Sequence, residues 1–463
     1  MASATATDVR TLLHAAADHA AAHLEADADA PVRAARTAEQ LARDFDAPLP
    51  AGGADARAVL DELVAIASPG ITRMTSARFF GFVVGGSLPA ALAADWMATA
   101  WDNNAGLAEP TPAVAAAEQV AGAWLKDVLG IPAHASFALV TGCQMAHVTA
   151  LAAARHRVLA DAGWDVERDG LAGAPRIRVL AGAERHVTVD RALRLLGLGT
   201  ACVEPVAVDA AGAMHSAALA HALASGGPGP AIVCAQAGNV NTGAVDPLGA
   251  IADLAHERGA WVHVDGAFGL WAAAAPARRA LVDGAERADS WATDGHKWLN
   301  VPYDCGIAFV ADAAAHRAAM TVTASYLVQH EGGPREPVDW NPEFSRRARG
   351  VAVWAALRSL GRAGVAELVE RLCACAERFA AALAAEPGVE VLALGLNQVL
   401  VRASAGDAAT DALVTGMQAE GTCYPTGTTW RGRRCMRISV CNWQTTDADV
   451  DRSLAALRAV LSA

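Results

Sequence analysis

Four short segments of the chain carry residue types that packing alone does not require. In Thr293-Asp294-Gly295-His296-Lys297-Trp298 a lysine follows an apolar run, although lysine is almost never buried without a partner. Partial burial disfavours the ammonium and so favours the neutral amine, the form that condenses with an aldehyde to a Schiff base. Taken alone, the same lysine could be an exposed loop residue. In His263-Val264-Asp265-Gly266-Ala267 a carboxylate ends a second apolar run. It reads either as a helix cap or as an ionised partner beneath a pyridine nitrogen, where it would keep an aromatic ring charged and able to accept electrons. Gly266 and Ala267 are small enough for a flat ring to lie close against the backbone.

The other two segments are weaker by themselves. Thr141-Gly142-Cys143-Gln144-Met145-Ala146 stands between a strand pattern and a long helix pattern, and the free amides of a helix N-terminus bind phosphate. It matches neither G-x-G-x-x-G nor a P-loop. His186, in Glu184-Arg185-His186-Val187-Thr188, follows another strand pattern and is a candidate for stacking on an aromatic ring. A lone histidine of this kind is otherwise structural. Ligands of open α/β sheets bind outside the carboxyl ends of the strands. All four segments lie at such ends, and that coincidence carries the functional reading.

The elements that must position them follow from the pattern. From about Leu88 to Val310, helices alternate with short apolar strands, which indicates an α/β domain built on a mostly parallel sheet with covered faces. Seven strands are expected: Phe137–Val140, Ile177–Ala181, Ala201–Pro205, Ala231–Ala235, Trp261–Val264, Ser290–Thr293 and Gly306–Val310. After about Arg346, two long helices lead to strands near Val389–Leu394, Val399–Arg402 and Cys435–Val440 and to a final helix, a smaller α+β unit. Helices at Asp8–Ala26 and near Ala56–Ala67 form an N-terminal arm that cannot bury its apolar stripe alone. The expected division is 1–86 for the helical arm, 87–350 for the large α/β domain and 351–463 for the small C-terminal domain. His14, His19 and His23 fall near one side of the first helix without a carboxylate partner and read as surface residues. Phe82 and Trp101 could line an aromatic pocket, but at their helical or strand positions they read rather as core.

Composition excludes several function classes. The formal net charge is −12 and no block of five or six basic residues occurs, so neither nucleic acid nor an anionic membrane is an expected partner. The short clusters Arg346-Arg347-Ala348-Arg349 and Arg431-Gly432-Arg433-Arg434 read as solvated faces or subunit contacts. Nine cysteines occur without a C-x-x-C pair, and Cys373-x-Cys375 lacks metal-site spacing; they read as reduced thiols of a cytoplasmic protein, with no metal expected. No secretory signal is evident, and the apolar run Leu88–Trp101, interrupted by Asp95, is too short to span a bilayer.

From about Ser76 to Ile438 the chain resembles the pyridoxal 5′-phosphate (PLP)-dependent amino-acid decarboxylases of the aromatic-L-amino-acid and glutamate decarboxylase group, fold type I. The residues that carry the resemblance are Phe82, Pro89, Pro112, Glu118, Trp124-Leu125, the Gly142 loop, Arg155, His186, His263-Val264-Asp265, Asp294 to Leu299, Asp304 and Arg346 to Arg349. The resemblance implies a Schiff-base role for Lys297, Asp265 against the pyridine nitrogen, His186 on one ring face and Ala267 on the other. It implies Gly142, Cys143 and Gln144 at the phosphate with His296 nearby, and a homodimer whose active sites lie at the subunit interface. The implied reaction is decarboxylation of an amino acid to an amine and CO2. Aldol-type lyase, aminotransferase, decarboxylation with oxidative deamination and an inactive PLP-fold binding protein are the alternatives.

Three departures qualify the match. Cys143-Gln144 stands where relatives carry small or hydroxyl residues, and Asp294 stands where an amide is common, so Asp294 is not expected to hold phosphate. Relatives place a proton-donating tyrosine on a loop after a Tyr-Leu pair, here Tyr326-Leu327. This chain has three tyrosines, Tyr303, Tyr326 and Tyr424, and none falls between Leu327 and Arg346; His330 substitutes only by position. Val83-Val84-Gly85-Gly86 replaces the more polar, Pro-bearing segment of aromatic-specific relatives, so no aromatic preference is inferred.

Overall fold

The protein is described by a computed structural model covering residues 8–227, 229–322 and 335–462. Seven strands form one sheet: β1 (Ser136–Val140), β2 (Arg178–Gly182), β3 (Val203–Val206), β4 (Ala231–Gln236), β5 (Trp261–Asp265), β6 (Ser290–Asp294) and β7 (Gly306–Val310). Their spatial order is β1-β7-β6-β5-β4-β2-β3. β7 is antiparallel to both of its neighbours and every other pairing is parallel. Six strands therefore bring their carboxyl ends to one edge. β1, β4, β5, β6 and β7 are buried along their whole length, as strands covered on both faces must be. All seven expected strands are present; the largest displacement is at β3, which begins at Val203 instead of Ala201.

A second, antiparallel sheet has the order β10-β11-β9-β8, from β8 (Val389–Gly395), β9 (Gln398–Ala403), β10 (Thr426–Trp430) and β11 (Arg433–Ser439). β10 is the strand that the pattern did not reveal. Thr-Gly-Thr-Thr-Trp lacks apolar alternation, and pairing with β11 makes it a strand. The two expected long helices form one span, Arg349–Ala384, broken at Gly361, whose φ of 61° and ψ of 178° are non-helical.

Three expectations need correction. His19 does have a carboxylate partner: its Nε2 lies 2.9 Å from Asp61 Oδ1 on the helix Ala56–Ala67, a pairing that no sequence spacing reveals. Phe82 and Trp101 are not core, being 57% and 49% exposed. The cluster at 346–349 is no solvated face, because Arg346 and Arg349 are buried. Arg349 meets Asp304 at 2.9 Å, and the exposed Arg347 meets Asp95 at 2.7 Å.

Arg346 forms a fork with the buried Glu118, two contacts of 2.8 Å, and Arg335 adds a third at 3.2 Å while lying over the Phe137 ring. Burial alone would raise the Glu118 pKa, but the two guanidinium groups hold it below its ordinary value. Removing one partner of a buried pair leaves an uncompensated charge, which costs about 3–5 kcal/mol. Glu118→Leu should therefore destabilise the protein by about that amount, read from its urea-denaturation midpoint; an unchanged midpoint would show the triad to be energetically neutral.

Candidate active site

The carboxyl edge of the large sheet gathers all four segments. Lys297 stands in the turn after β6, its side chain 20% exposed, with Nζ 3.1 Å from Asp294 Oδ2. Asp294 is the buried last residue of β6, and its Oδ1 accepts the Cys143 N–H at 2.6 Å. That amide is the first of the helix Cys143–Asp161. Asp294 thus neutralises the lysine and caps the helix at once. Burial pulls the Lys297 ammonium down, as expected, yet Asp294 and, less strongly, Asp265 outweigh it, and the pKa is raised. The expectation that partial burial frees the amine is therefore reversed here.

Asp265 closes β5, buried, with Oδ1 accepting the Ala267 N–H at 3.2 Å. Burial would raise its pKa; His147, with Nε2 3.6 Å from Oδ2, outweighs that together with His186 and Lys297, and the carboxyl is held well below the ordinary range. Cys143 Sγ lies 3.9 Å from Oδ1. Asp265 and Lys297 each appear among the charges that shift the other, so they belong to one electrostatic unit.

His186 caps the helix Val187–Leu195, its Nδ1 accepting the Thr188 N–H at 3.4 Å, with Thr188 Oγ1 at 2.7 Å. That assigns the ring proton to Nε2, and burial lowers the pKa, so the ring is neutral at pH 7. Gln144 reaches the same turn through Nε2 to the Thr188 carbonyl at 3.2 Å, while its buried Oε1 has no protein partner. His296 accepts the Cys305 N–H on Nδ1 at 3.1 Å, leaving Nε2 3.5 Å from Asp294 Oδ1. Its ring stacks on Tyr303, centroids 4.2 Å apart.

The lysine turn is held from three sides. Asn300, fully buried, accepts the Gly86 N–H at 2.6 Å and the Trp443 N–H at 2.9 Å, and donates to the Trp298 and Cys441 carbonyls at 3.0 and 3.1 Å. All its hydrogen-bonding capacity is used to tie segments 86, 298–300 and 441–443 together. Gly85 lies so close that a Cβ there would run into the Lys297 carbonyl.

Sequence reasoning missed His147, Tyr303 and Asn300, and it read Arg437 as a structural contact or a carboxylate holder. His147 lies one turn beyond Cys143 and His263 two residues before Asp265, spacings that put each pair on one face and could have exposed the link. Arg437 is buried, donating to the Val240 and Phe82 carbonyls at 3.1 and 3.2 Å, and among the described residues it forms no ion pair. Tyr326, Leu327 and His330 lie outside the described residues.

A family model described as the pyridoxal-dependent decarboxylase conserved domain matches residues 38–402. The chain belongs to that family. Tryptophan decarboxylase 1 of Oryza sativa subsp. japonica is 30% identical over 468 residues, covering 94% of this chain and 90% of that protein. Aromatic-L-amino-acid decarboxylase of Bacillus atrophaeus is 29% identical, covering 84% and 80%. Among solved structures, Oryza sativa TDC with PLP and tryptamine superposes with a TM-score of 0.92 at 28% identity, over 100% of this chain and 99% of that one. The fold is fold type I, the cofactor is PLP and the reaction is decarboxylation of an amino acid.

The donor set fits that cofactor: an amine, a carboxylate kept ionised, a neutral imidazole and a helix N-terminus share one edge. The misfit is local, since Asp294 occupies the first helix amide. Asp294→Asn removes the charge that raises the Lys297 pKa, so the neutral amine should exist at lower pH. Competitive labelling of Lys297 with an amine-reactive reagent, followed by mass spectrometry across pH, should show the titration moved down in the variant. A titration in the same place would mean that Asp294 does not set the amine.

Proposed function

We propose that Lys297 is the residue that carries PLP, and that the chain converts an L-amino acid to its amine and CO2. What supports this most is the shared sheet edge, at whose strand ends both the Lys297 amine and the ionised Asp265 stand. When bound, PLP supplies an electron sink for the pair left behind as the bond from the α-carbon to the carboxylate breaks. Asp265, held ionised, would stand against the ring nitrogen and keep a proton there. His186, neutral, would cover one ring face, and Ala267, half-buried, would leave space on the other. Gly142, Cys143 and Gln144 would line the phosphate site, the Cys143 N–H itself being held by Asp294, with His296 Nε2–H nearby. Lys297 Nζ, paired with Asp294, holds a proton at the reaction face.

Lys297→Ala should abolish the borohydride-trapped adduct on the peptide containing residue 297 and lower CO2 release by on the order of 10³-fold or more. Full turnover in that variant would remove the assignment. The wild type, given a panel of aromatic and acidic amino acids, should release CO2 and amine in equal amounts. A second reading, decarboxylation with oxidative deamination, is favoured by the absence of tyrosine between Leu327 and Arg346. It would show itself as aldehyde and ammonia.

The chain acts as a homodimer in the same proposal. Val9, Leu13, Trp96, Met97 and Trp101 are exposed on the helix Val9–Glu25 and the helix Pro89–Trp101 of one protomer, and such a surface asks for a cover. Phe82, exposed beside Arg437, would bring that interface to the site. Sedimentation should give twice the chain mass, and Trp96→Asp should shift it toward the monomer with loss of activity; a wild-type monomer with full activity would refute the dimer. The cytoplasm is the proposed compartment, since the nine cysteines are all free and buried. Among the described residues no helix is long and apolar enough to cross a membrane.

A further inference from the structure

Asp265 is the last member of a buried file of polar groups that the mechanism above does not use. Trp261 Nε1 lies 2.8 Å from Ser290 Oγ, and Ser290 Oγ lies 2.9 Å from His263 Nδ1. His263 Nε2 is 2.9 Å from His147 Nδ1, and His147 Nε2 faces Asp265 Oδ2 at 3.6 Å and Cys143 Sγ at 3.5 Å. Ser290, His263 and His147 are fully buried. The file crosses from β5 and β6 to the helix Cys143–Asp161, so it is not a by-product of one element's spacing.

Its two ends differ in kind. An indole N–H can only donate and an ionised carboxylate can only accept, whereas a hydroxyl and a neutral imidazole can do both. One arrangement fills every link with a single proton. Trp261 donates to Ser290, Ser290 to His263 Nδ1, His263 Nε2–H to His147 Nδ1, and His147 Nε2–H is left facing Asp265 and Cys143. The reverse arrangement points the bare Nε2 lone pair of His147 at a carboxylate, acceptor against acceptor. Burial, with His147 alongside, drives the His263 pKa down to about 3, which keeps that ring neutral and able to pass the pattern on. Cys143 does not upset it: burial keeps the thiol protonated, able to accept from His147 and donate toward Asp265 Oδ1.

We propose that His147 is a positioning residue for the decarboxylation, its Nε2–H fixed toward Asp265 by a one-way hydrogen-bond chain that starts at Trp261. The proposal rests on the reading of Asp265 as the partner of the PLP ring nitrogen and adds what holds that carboxylate oriented and ionised in a buried place. At 3.6 Å the contact is an electrostatic one between a buried N–H dipole and a carboxylate, and its loss should be measurable in cofactor affinity.

The test uses the full-length protein with PLP as the probe. His147→Leu, which removes the donor, should weaken PLP binding about 10- to 100-fold, and His147→Gln, which retains an N–H, should stay within about threefold of wild type. Asp265→Asn, measured alongside, should also weaken binding. In ¹⁵N-histidine-labelled wild type, the His147 Nε2 resonance should be that of a protonated nitrogen. A bare Nε2, or a Gln variant as weak as the Leu variant, overturns the proposal. Unchanged affinity in His147→Leu with a weakened Asp265→Asn overturns the chain alone, and unchanged affinity in both overturns the assignment of Asp265 with it. Should the Leu variant fail to fold, the Gln variant and the wild-type resonance decide.

Discussion

One ammonium and two carboxylates share a buried volume, and each is tolerable there only because of the others. Bringing a single ion out of water costs several kcal/mol even after relaxation, and attraction repays this only when geometry and hydrogen bonds are good. Lys297 meets Asp294 at 3.1 Å, Asp294 also takes a helix amide, and Asp265 faces His147. Without Asp294 the Lys297 ammonium loses its main partner, and without His147 Asp265 loses its own. The rest of the architecture can be understood as what keeps these groups from drifting apart.

Parallel pairing does most of that, delivering the ends of β2, β5 and β6 to one edge, and β1 joins them because two antiparallel steps through β7 restore its direction. Close approach does the remainder. A Cβ at Gly306 would collide with the Gly142 backbone, so the start of the helix Cys143–Asp161 can lie against β7 only because residue 306 is glycine. Asn300 sits at a φ of 53°, a conformation asparagine tolerates better than most residues, and from there its side chain reaches two other segments.

Much of this was legible in the sequence because function left residues that burial would not have selected. A lysine after Ser290–Thr293 and an aspartate after Trp261–Val264 stand out against apolar runs, and strand ends are where an α/β sheet binds ligands. The sign of the lysine's titration was not legible, since it depends on how Asp294 turns relative to a side chain three residues away. The His147–His263 contact was hidden for a related reason: both residues sit inside regular elements, where a histidine reads as filler until the partner element is known. β10 escaped because its strand character comes from its neighbour, not its own residues.

The reversed direction of β7 has a consequence for the lysine turn. A parallel β7 would have required a long crossover carrying the chain to the far edge and back. Running the other way, it receives the chain directly, and Asp294 pairs in register with Gly306 across the neck of segment 295–305. The Lys297 amine therefore hangs on a loop whose mouth is stitched shut in the interior of the sheet, with β1 and β5 on either flank. Such a loop cannot peel open by local fraying; letting go of the lysine means unzipping the middle of the molecule.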